Sequence, residues 1–482
     1  MEQRKSYTDE KRKAQAGERP VRLNTEAVYD DGLSRSSEET SVMGVERRTE
    51  VVQLELGLPT PNNRGMNSTT PARGIPITKQ MVWEAYKKVR SNQGSAGIDN
   101  QTLADYELNL SGNLYKLWNR MSSGSYFPVA VKEVSIPKTD GNRRKLGIPT
   151  VSDRIAQEVI RRYLEPRLEE EFSEHSYGYR PLKSSHQAVA QVKKNVLKYA
   201  WAIDMDIRSF FDNMSHDKVL LALERHVGEK WVMMYTKRWL TAPMMDKDGR
   251  LTTRERGTPQ GGVISPLLAN LFLHYSFDRW FEQHYPELSF VRYADDIIVH
   301  CNSEEESREV LAAIKERMSV CELTLNEEKT KIVYCKTANR ELGFTTVKFD
   351  FLGFSFQPRP AKNNKTNKLF LSYDCGISRK SETAIAEELR QSKFHQWTGS
   401  TIEMIAAIFN PKLRGWLKYY GKFRPYMLNR VFGMFNWRLI KWAVKKYKSF
   451  QGSMRKAGDW IRRTARDYPY LFVHWQHGFH GA

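Results

Sequence analysis

Residues Phe290-Val291-Arg292-Tyr293-Ala294-Asp295-Asp296-Ile297-Ile298-Val299 set two neighbouring carboxylates between two short runs of β-branched and aromatic residues. Each run predicts a strand, and Ala294-Asp295-Asp296 predicts the tight turn of a hairpin. Aspartate is a common turn residue, so a hairpin with a polar tip would account for the pattern by itself. The repulsion between adjacent anions flanked by apolar strands is harder to accommodate. A divalent cation relieves it best, and an all-oxygen ligand set suits Mg²⁺. Such a turn acquires a function only if the rest of the chain supplies a further carboxylate and a groove for a substrate.

The segment Tyr199 to Asp212 carries the further carboxylates. On a strand, Trp201, Ile203 and Met205 share one face while Asp204 and Asp206 share the other. Between the two acidic segments lies Arg256-Gly257-Thr258-Pro259-Gln260-Gly261-Gly262-Val263-Ile264-Ser265-Pro266, whose glycines and prolines exclude regular structure. A helix over Leu267 to Phe277 is expected to follow, with Pro266 at its first position. A Gly-rich turn opening a helix can approach phosphate closely. Further upstream, Val129 to Pro137 and Arg143 to Ile148 predict a hairpin around the turn Lys138 to Asn142. Its basic residues either protect an edge from aggregation or grip phosphates.

Other elements follow from periodicity. Thr78 caps a helix with Met81, Val82, Ala85, Tyr86 and Val89 on one face. Leu103 to Met121 reads as a second helix, and Ser152 or Asp153 caps a third. Ser176 to Pro181 is irregular, a helix covers His186 to Leu197, and another covers Ser303 to Cys321. Phe349 to Phe356 alternates as a strand, and Pro358 to Lys368 is a basic loop. Beyond Thr401, Ile402, Ile405, Ile408, Phe409, Leu413, Trp416, Leu417 and Tyr420 keep one helical period, and Leu428 to Val444 keeps another. Arg414, Lys418, Lys422 and many more basic residues lie between them with few acidic ones opposing, which points to a nucleic-acid face. Residues 1 to 74 are polar, and are expected to be mostly disordered, as a passive tail or with one short recognition piece near Ser41 to Leu58.

Composition narrows the class. The 482 residues exceed one core, so two to four domains are expected. Lys and Arg total 76 against 56 Asp and Glu, a net charge of +20, which suggests a polyanion partner. The basic residues are spread among aromatics, which fits a membrane surface poorly. The four cysteines are far apart with no Cys-x-x-Cys pair, so neither a disulfide framework nor a cysteine-rich zinc site is indicated. A reducing, bacterial-type cytoplasm is expected; no signal peptide or membrane span is read.

Arg143 to Arg154, Tyr177-Gly178-Tyr179-Arg180-Pro181, Asp206 to Asp212, Pro259-Gln260-Gly261, Tyr293 to Asp296, Lys329-Thr330 and Phe351-Leu352-Gly353 occur in the order found in group II intron reverse transcriptases. The sequence resembles these intron-encoded maturases from Gly94-Ser95-Ala96-Gly97-Ile98-Asp99 through Arg414 to Tyr420 and Leu471 to Trp475. The resemblance implies an α+β right-hand polymerase: fingers and palm over 75–375, an all-α thumb or maturase region over 376–450, and a small DNA-binding region over 451–482. It implies Asp206, Asp295 and Asp296 as ligands of two Mg²⁺ ions, with Mn²⁺ as a possible substitute, while Asp204 and Asp212 are read as structural. Two such ions serve in-line nucleotidyl transfer by activating the primer hydroxyl and stabilising the leaving pyrophosphate.

By the same resemblance, Lys138 and Arg144 grip the triphosphate of an incoming dNTP, with Arg143 the alternative to Arg144. Gln260 and Gly261 lie near nucleotide and template. Phe211 excludes a 2′-hydroxyl, or Phe210 if the register is off by one. Lys329 either stabilises pyrophosphate or is a surface lysine. The implied partners are group II intron RNA, an RNA template with a DNA primer, target DNA and dNTPs. Many members carry an HNH endonuclease with cysteine pairs; no such pair is found up to Ala482, so no second-strand cutting is expected. His474, His477 and His480 are read as solvated at a frayed terminus. The implied activity is RNA-directed DNA synthesis with assistance to intron splicing. A splicing-only binding protein and a reverse transcriptase domesticated for host defence or repair are the competing classes.

Overall fold

The computed structural model describes residues 74–137, 143–340, 343–363, 365–450 and 452–481. The expectations for residues 1–73 and for Lys138 lie outside the described residues. Three sheets carry the architecture. The first is built from β1 (Val131–Pro137) and β2 (Arg143–Ile148). The next strand in sequence, β3 (Trp201–Asp206), belongs to a second sheet, while the short strands β4 (Met244–Met245) and β5 (Leu251–Thr252) extend the first. Strands β6 (Ser289–Tyr293), β7 (Asp296–Cys301) and β8 (Lys331–Tyr334) complete the second sheet. The third holds β9 (Phe349–Phe351), β10 (Phe354–Lys362) and β11 (Leu369–Ile377).

The second sheet has the order β6-β7-β3-β8 and is antiparallel throughout. Its period-two pattern feeds two cores. Trp201, Ile203, Met205, Ile297 and Val299 enter one cluster with the helices Val151–Glu169 and Ser265–Leu273. Ala202, Val291, Ile298 and Val333 enter a second cluster with the helix Ser185–Lys198 and the phenylalanines of β9 and β10. The central strands are therefore apolar on both faces over most of their length. Apart from the fully buried His300, the polar side chains of these two strands, Asp204, Asp206 and Asp296, gather toward one end of the pair.

A third core, from Ile377 to Trp475, unites the helices Arg379–Gln391, Ile402–Tyr420, Asn429–Lys446 and Met454–Asp467. This core is continuous across residue 450. Residues 471–475 join it, which corrects the reading of His474, while His477 and His480 are exposed as expected. His474 is fully buried, stacks on Phe432, and shares a hydrogen bond of 2.7 Å with Asn436 Oδ1. Asn436 Nδ2 donates to the carbonyls of Phe479 and Gly481 and ties the last residues down. Burial pushes His474 down to about 3, so it stays neutral in the core.

Helix boundaries differ from the sequence reading in three places. The expected helix over Leu103 to Met121 is two, Leu103–Glu107 and Leu110–Ser122, separated where Asn109 leaves helical geometry. Thr150, not Ser152 or Asp153, is the cap of the helix Val151–Glu169; its hydroxyl accepts from Asp153 N, and Asp153 faces inward to the Tyr126 hydroxyl. The helix expected over Leu267 to Phe277 starts at Ser265, widens into a π turn at His274–Asp278 and runs on to His284.

That wide turn presents Asp278 to Arg292 in the interior. Both side chains are fully buried, and the pair is bidentate, Nε to Oδ1 at 2.7 Å and Nη2 to Oδ2 at 2.5 Å. Removing one partner of a buried pair leaves an uncompensated charge, at a cost of roughly 3–5 kcal/mol. Arg292→Met is expected to lower folding stability by about that amount, read as a shift of the denaturant midpoint. A surface exchange such as Arg308→Met should leave the midpoint nearly in place.

Candidate active site

The hairpin of β6 and β7 is closed by the two-residue loop Ala294-Asp295, and Asp296 is the first residue of β7, paired with Tyr293. Ala294 adopts φ +57°, the left-handed conformation that glycine usually supplies at the first position of such a turn. An alanine there costs about 1–3 kcal/mol and persists only where the surroundings over-determine it. Here Arg292 Nη1 donates to Ala294 O at 3.2 Å and to Asn270 Oδ1 at 2.9 Å. Asn270 Nδ2 in turn donates to Gly178 O at 2.8 Å. A Cβ on Gly178 would lie 2.4 Å from Ala294 N, so only glycine lets this segment lie against the turn. Sequence reading missed Asn270 and Asp278; nothing local marks them, because their meaning arises only from Arg292.

β3 lies beside β7 with Asp206 directly opposite Asp296. Asp206 Oδ2 accepts from Lys329 Nζ at 3.1 Å and from Asn326 Nδ2 at 3.2 Å, and Asp206 O accepts from Asn326 N at 2.7 Å. Lys329 is thus an exposed lysine that pairs with Asp206 at the edge of the site. Asp204, one turn of the pleat back, faces Lys331 at 3.4 Å, and burial raises it to about 6. Burial also raises Asp295. Asp296 rises to about 7, through loss of hydration first and then the charges of Asp295, Asp206 and Asp204. Asp296 nevertheless opens to solvent on one side. Among the described residues, no three His, Cys, Asp or Glu side chains gather into a preformed metal cage. The donor chemistry still fits a hard divalent cation: all-oxygen, anionic and mutually repelling.

Asp204, Asp206, Asp296, Lys329 and Lys331 line a cleft of about 890 Å³ whose far wall includes Leu352, Gly353, Trp416 and Tyr420. The side of the site toward β1 and β2 is organised by the loop 257–263. Gly261 adopts φ +126°, and a Cβ there would lie 2.5 Å from Gly147 O, so the loop lies flat on β2. Gln260 O accepts from Gly147 N at 2.9 Å, and Arg144 Nε donates to the Gln260 amide oxygen. Gln157, also missed from sequence, accepts from the backbone of Val263 and Ile264 and fixes the start of the following helix. Arg143 instead reaches back to Ser135 O at 3.4 Å. Phe210 and Phe211 both belong to the core; Phe210 packs on Phe272, and Phe211 lies edge-on to Phe210 and keeps 7% of its surface exposed. Asp212 sits in the helical turn Phe210–Asn213, backed by Gly257. Arg414, Lys418 and Lys422 are all exposed, on or just beyond the helix Ile402–Tyr420.

Because Gly178 sets the height of the Ala294 turn, Gly178→Ala should displace the Asp295-Asp296 tip. Misplacement by about 1 Å costs on the order of 10²-fold in rate. Single-nucleotide extension assays should show that loss in kcat with KM for the nucleotide little changed.

Residues 136–356 match the reverse transcriptase (RNA-dependent DNA polymerase) family, and residues 383–458 match the group II intron maturase-specific domain. The chain is 25% identical over 454 residues to the group II intron-encoded protein LtrA of Lactococcus lactis subsp. cremoris, covering 77% of this chain and 74% of that one. It is 29% identical over 320 residues to protein YkfC of Escherichia coli (strain K12), covering 57% and 83% respectively. It is 27% identical over 340 residues to the putative COX1/OXI3 intron 1 protein of Saccharomyces cerevisiae, covering 59% and 39%. The fold is that of an α+β polymerase, and enzymes of the reverse transcriptase family generally use divalent metal ions. Among the described residues no helix is long and apolar enough to cross a membrane. With a reverse transcriptase domain followed by a group II intron maturase-specific domain and homology to the group II intron-encoded protein LtrA, the chain acts on nucleic acid, intron RNA included, as an RNA-directed DNA polymerase.

Proposed function

We propose that the protein copies the RNA of its own group II intron into DNA from a DNA primer at a target site, and that it binds the same RNA to assist its splicing. The observation that carries this reading is the pairing of Asp206 with Asp296 on adjacent strands, beside Asp295 in a turn locked from beneath. Asp206, Asp295 and Asp296 would hold Mg²⁺, which when bound supplies charge neutralisation at the reacting phosphate and lowers the pKa of the attacking hydroxyl. Asp206 is shared between that role and Lys329, whose ammonium is suited to the pyrophosphate side. Arg144, steadied by Gln260, would meet the triphosphate, with Lys138 as its proposed partner in that role. Gly261 lets the nucleotide and template approach the loop backbone closely.

Residues 75–375 would act as fingers and palm, 376–450 as thumb, and 451–482 as a DNA-contacting end of the same helical body. Arg414, Lys418 and Lys422 would meet phosphates, since they are exposed without an apolar role.

The palm assignment is tested by Asp295→Ala. The variant should lose primer extension on an RNA template at least 10³-fold, on the order of the loss when electrostatic stabilisation is removed, while RNA affinity stays near wild type. Extension at the wild-type rate would sink the assignment.

Phe211 is the more accessible of the two phenylalanines, which supports it over Phe210 as the residue that excludes a 2′-hydroxyl. Phe211→Ala should raise ribonucleotide incorporation relative to deoxynucleotide incorporation, measured as the ratio of kcat/KM values. An unchanged ratio would remove the steric role.

A further inference from the structure

The hairpin of β10 and β11 carries a charge cluster that shares no residue with the lining of the catalytic cleft. At its centre Asp374 on β11 is saturated. Lys193 Nζ lies 2.9 Å from its Oδ1, and Arg424 Nε lies 2.8 Å from its Oδ2. Arg424 also donates to the Tyr426 hydroxyl at 2.7 Å and to Pro360 O at 3.3 Å. The third cation, Arg359 on β10, is half-buried. Among the described residues no carboxylate lies within ion-pairing distance of it; its Nη2 reaches Ser355 O at 3.4 Å, and its Nε is buried without an acceptor. With its amide turned, Gln357 would accept from the same guanidinium at 3.2 and 3.3 Å. Burial first, and then Arg424, pull Arg359 below the usual arginine range.

Two cations thus share one carboxylate, and a third, Arg359, stands near them in a partly desolvated place with no carboxylate of its own. A half-buried guanidinium without an anion is costly, and its planar fork matches phosphate oxygens. The cluster is also rigidly built. Arg424 is held at φ +52° at the start of the turn Pro425–Leu428. A Cβ on Gly376 would lie 2.2 Å from Met427 Sδ, so the glycine gives the Met427 side chain room against β11. Toward the tip, Lys362, Lys365 and Lys368 are exposed and continue the positive surface. Tyr426 is 58% exposed beside the cations, and its hydroxyl keeps a proton to donate. Arg424 and Tyr426 fall within the segment that matches the maturase-specific domain, and Arg359 lies just past the segment that matches the polymerase.

We propose that Lys193, Arg359, Arg424 and Tyr426 form a second nucleic-acid site, which holds the phosphate backbone of a structured RNA at the seam between the polymerase and maturase domains. It rests on the RNA-binding reading above and deepens it by naming where RNA is held outside the cleft. The Tyr426 hydroxyl gives the site a group that a ribose 2′-hydroxyl can meet and a deoxyribose cannot.

The test uses the full chain and a fluorescein-labelled RNA hairpin too long for the cleft, with affinity measured across a salt series. The double variant K193Q/R359Q should flatten the slope of log affinity against log salt by about two units, one per lost phosphate contact. D374N, which frees two cations, should tighten binding, a direction that misfolding does not produce. Both variants should extend a short primer–template at the wild-type rate with saturating nucleotide. An unchanged slope in K193Q/R359Q would overturn the proposal. So would an equal loss on a DNA hairpin of the same sequence, or displacement of the RNA by inorganic phosphate at constant ionic strength. Failure of the wild-type chain to extend any primer would contradict the polymerase reading instead, and leaves the slopes readable.

Discussion

Everything at the catalytic end of the central sheet hangs on one buried guanidinium. Arg292 is neutralised from below by Asp278 and uses its remaining donor on Ala294 O and Asn270, so the turn that carries Asp295 cannot relax out of its left-handed conformation. Such a charge is expensive to bury, and the bidentate pair offsets that expense only because its geometry is complete. The consequence is positional. Two carboxylates that repel each other are fixed at a hairpin tip opposite Asp206, with little freedom to move apart.

The same logic extends outward through close backbone contacts. Gly178 fits the Tyr177 to Pro181 segment against the turn, and Gly261 fits the loop 257–263 against β2. Asn270 belongs to the helix whose start Gln157 fixes, so the loop 257–263 and the carboxylate turn are positioned by one continuous frame. On the other side, the loop Asn326 to Thr330 docks on the end of β3 through Asn326, which brings Lys329 to Asp206. The helical region beyond Ile377 meets this frame where Tyr419 donates to Leu352 O at 2.9 Å, so the cleft has a wall from each domain.

Much of this was legible in the chain itself. Period-two alternation placed Trp201, Ile203 and Met205 opposite Asp204 and Asp206, and the Asp-Asp pair announced its hairpin, because both signals are local. The apolar periods after Thr401 gave the helices of the third core for the same reason. What escaped was set by distant partners. Asp278 and Asn270 look like ordinary helix residues until Arg292 is folded onto them. The π turn that aims Asp278 has no sequence signature. His474 looked like part of a loose polar tail because its partner, Asn436, lies 38 residues away. Thr150 took the cap from Ser152 and Asp153 because Asp153 is drawn inward to Tyr126. The deeper burial of Phe210 likewise depends on Phe272, which no spacing rule relates to it.

The central claim is that this frame holds a working nucleotidyl-transfer centre. The most direct measurement is incorporation of one deoxynucleotide onto a DNA primer annealed to RNA, by the full chain, across a Mg²⁺ titration. The account predicts extension that rises with Mg²⁺ to saturation and is abolished by chelation. Stable binding of the primer–template with no extension at any concentration of Mg²⁺ or Mn²⁺ would contradict it.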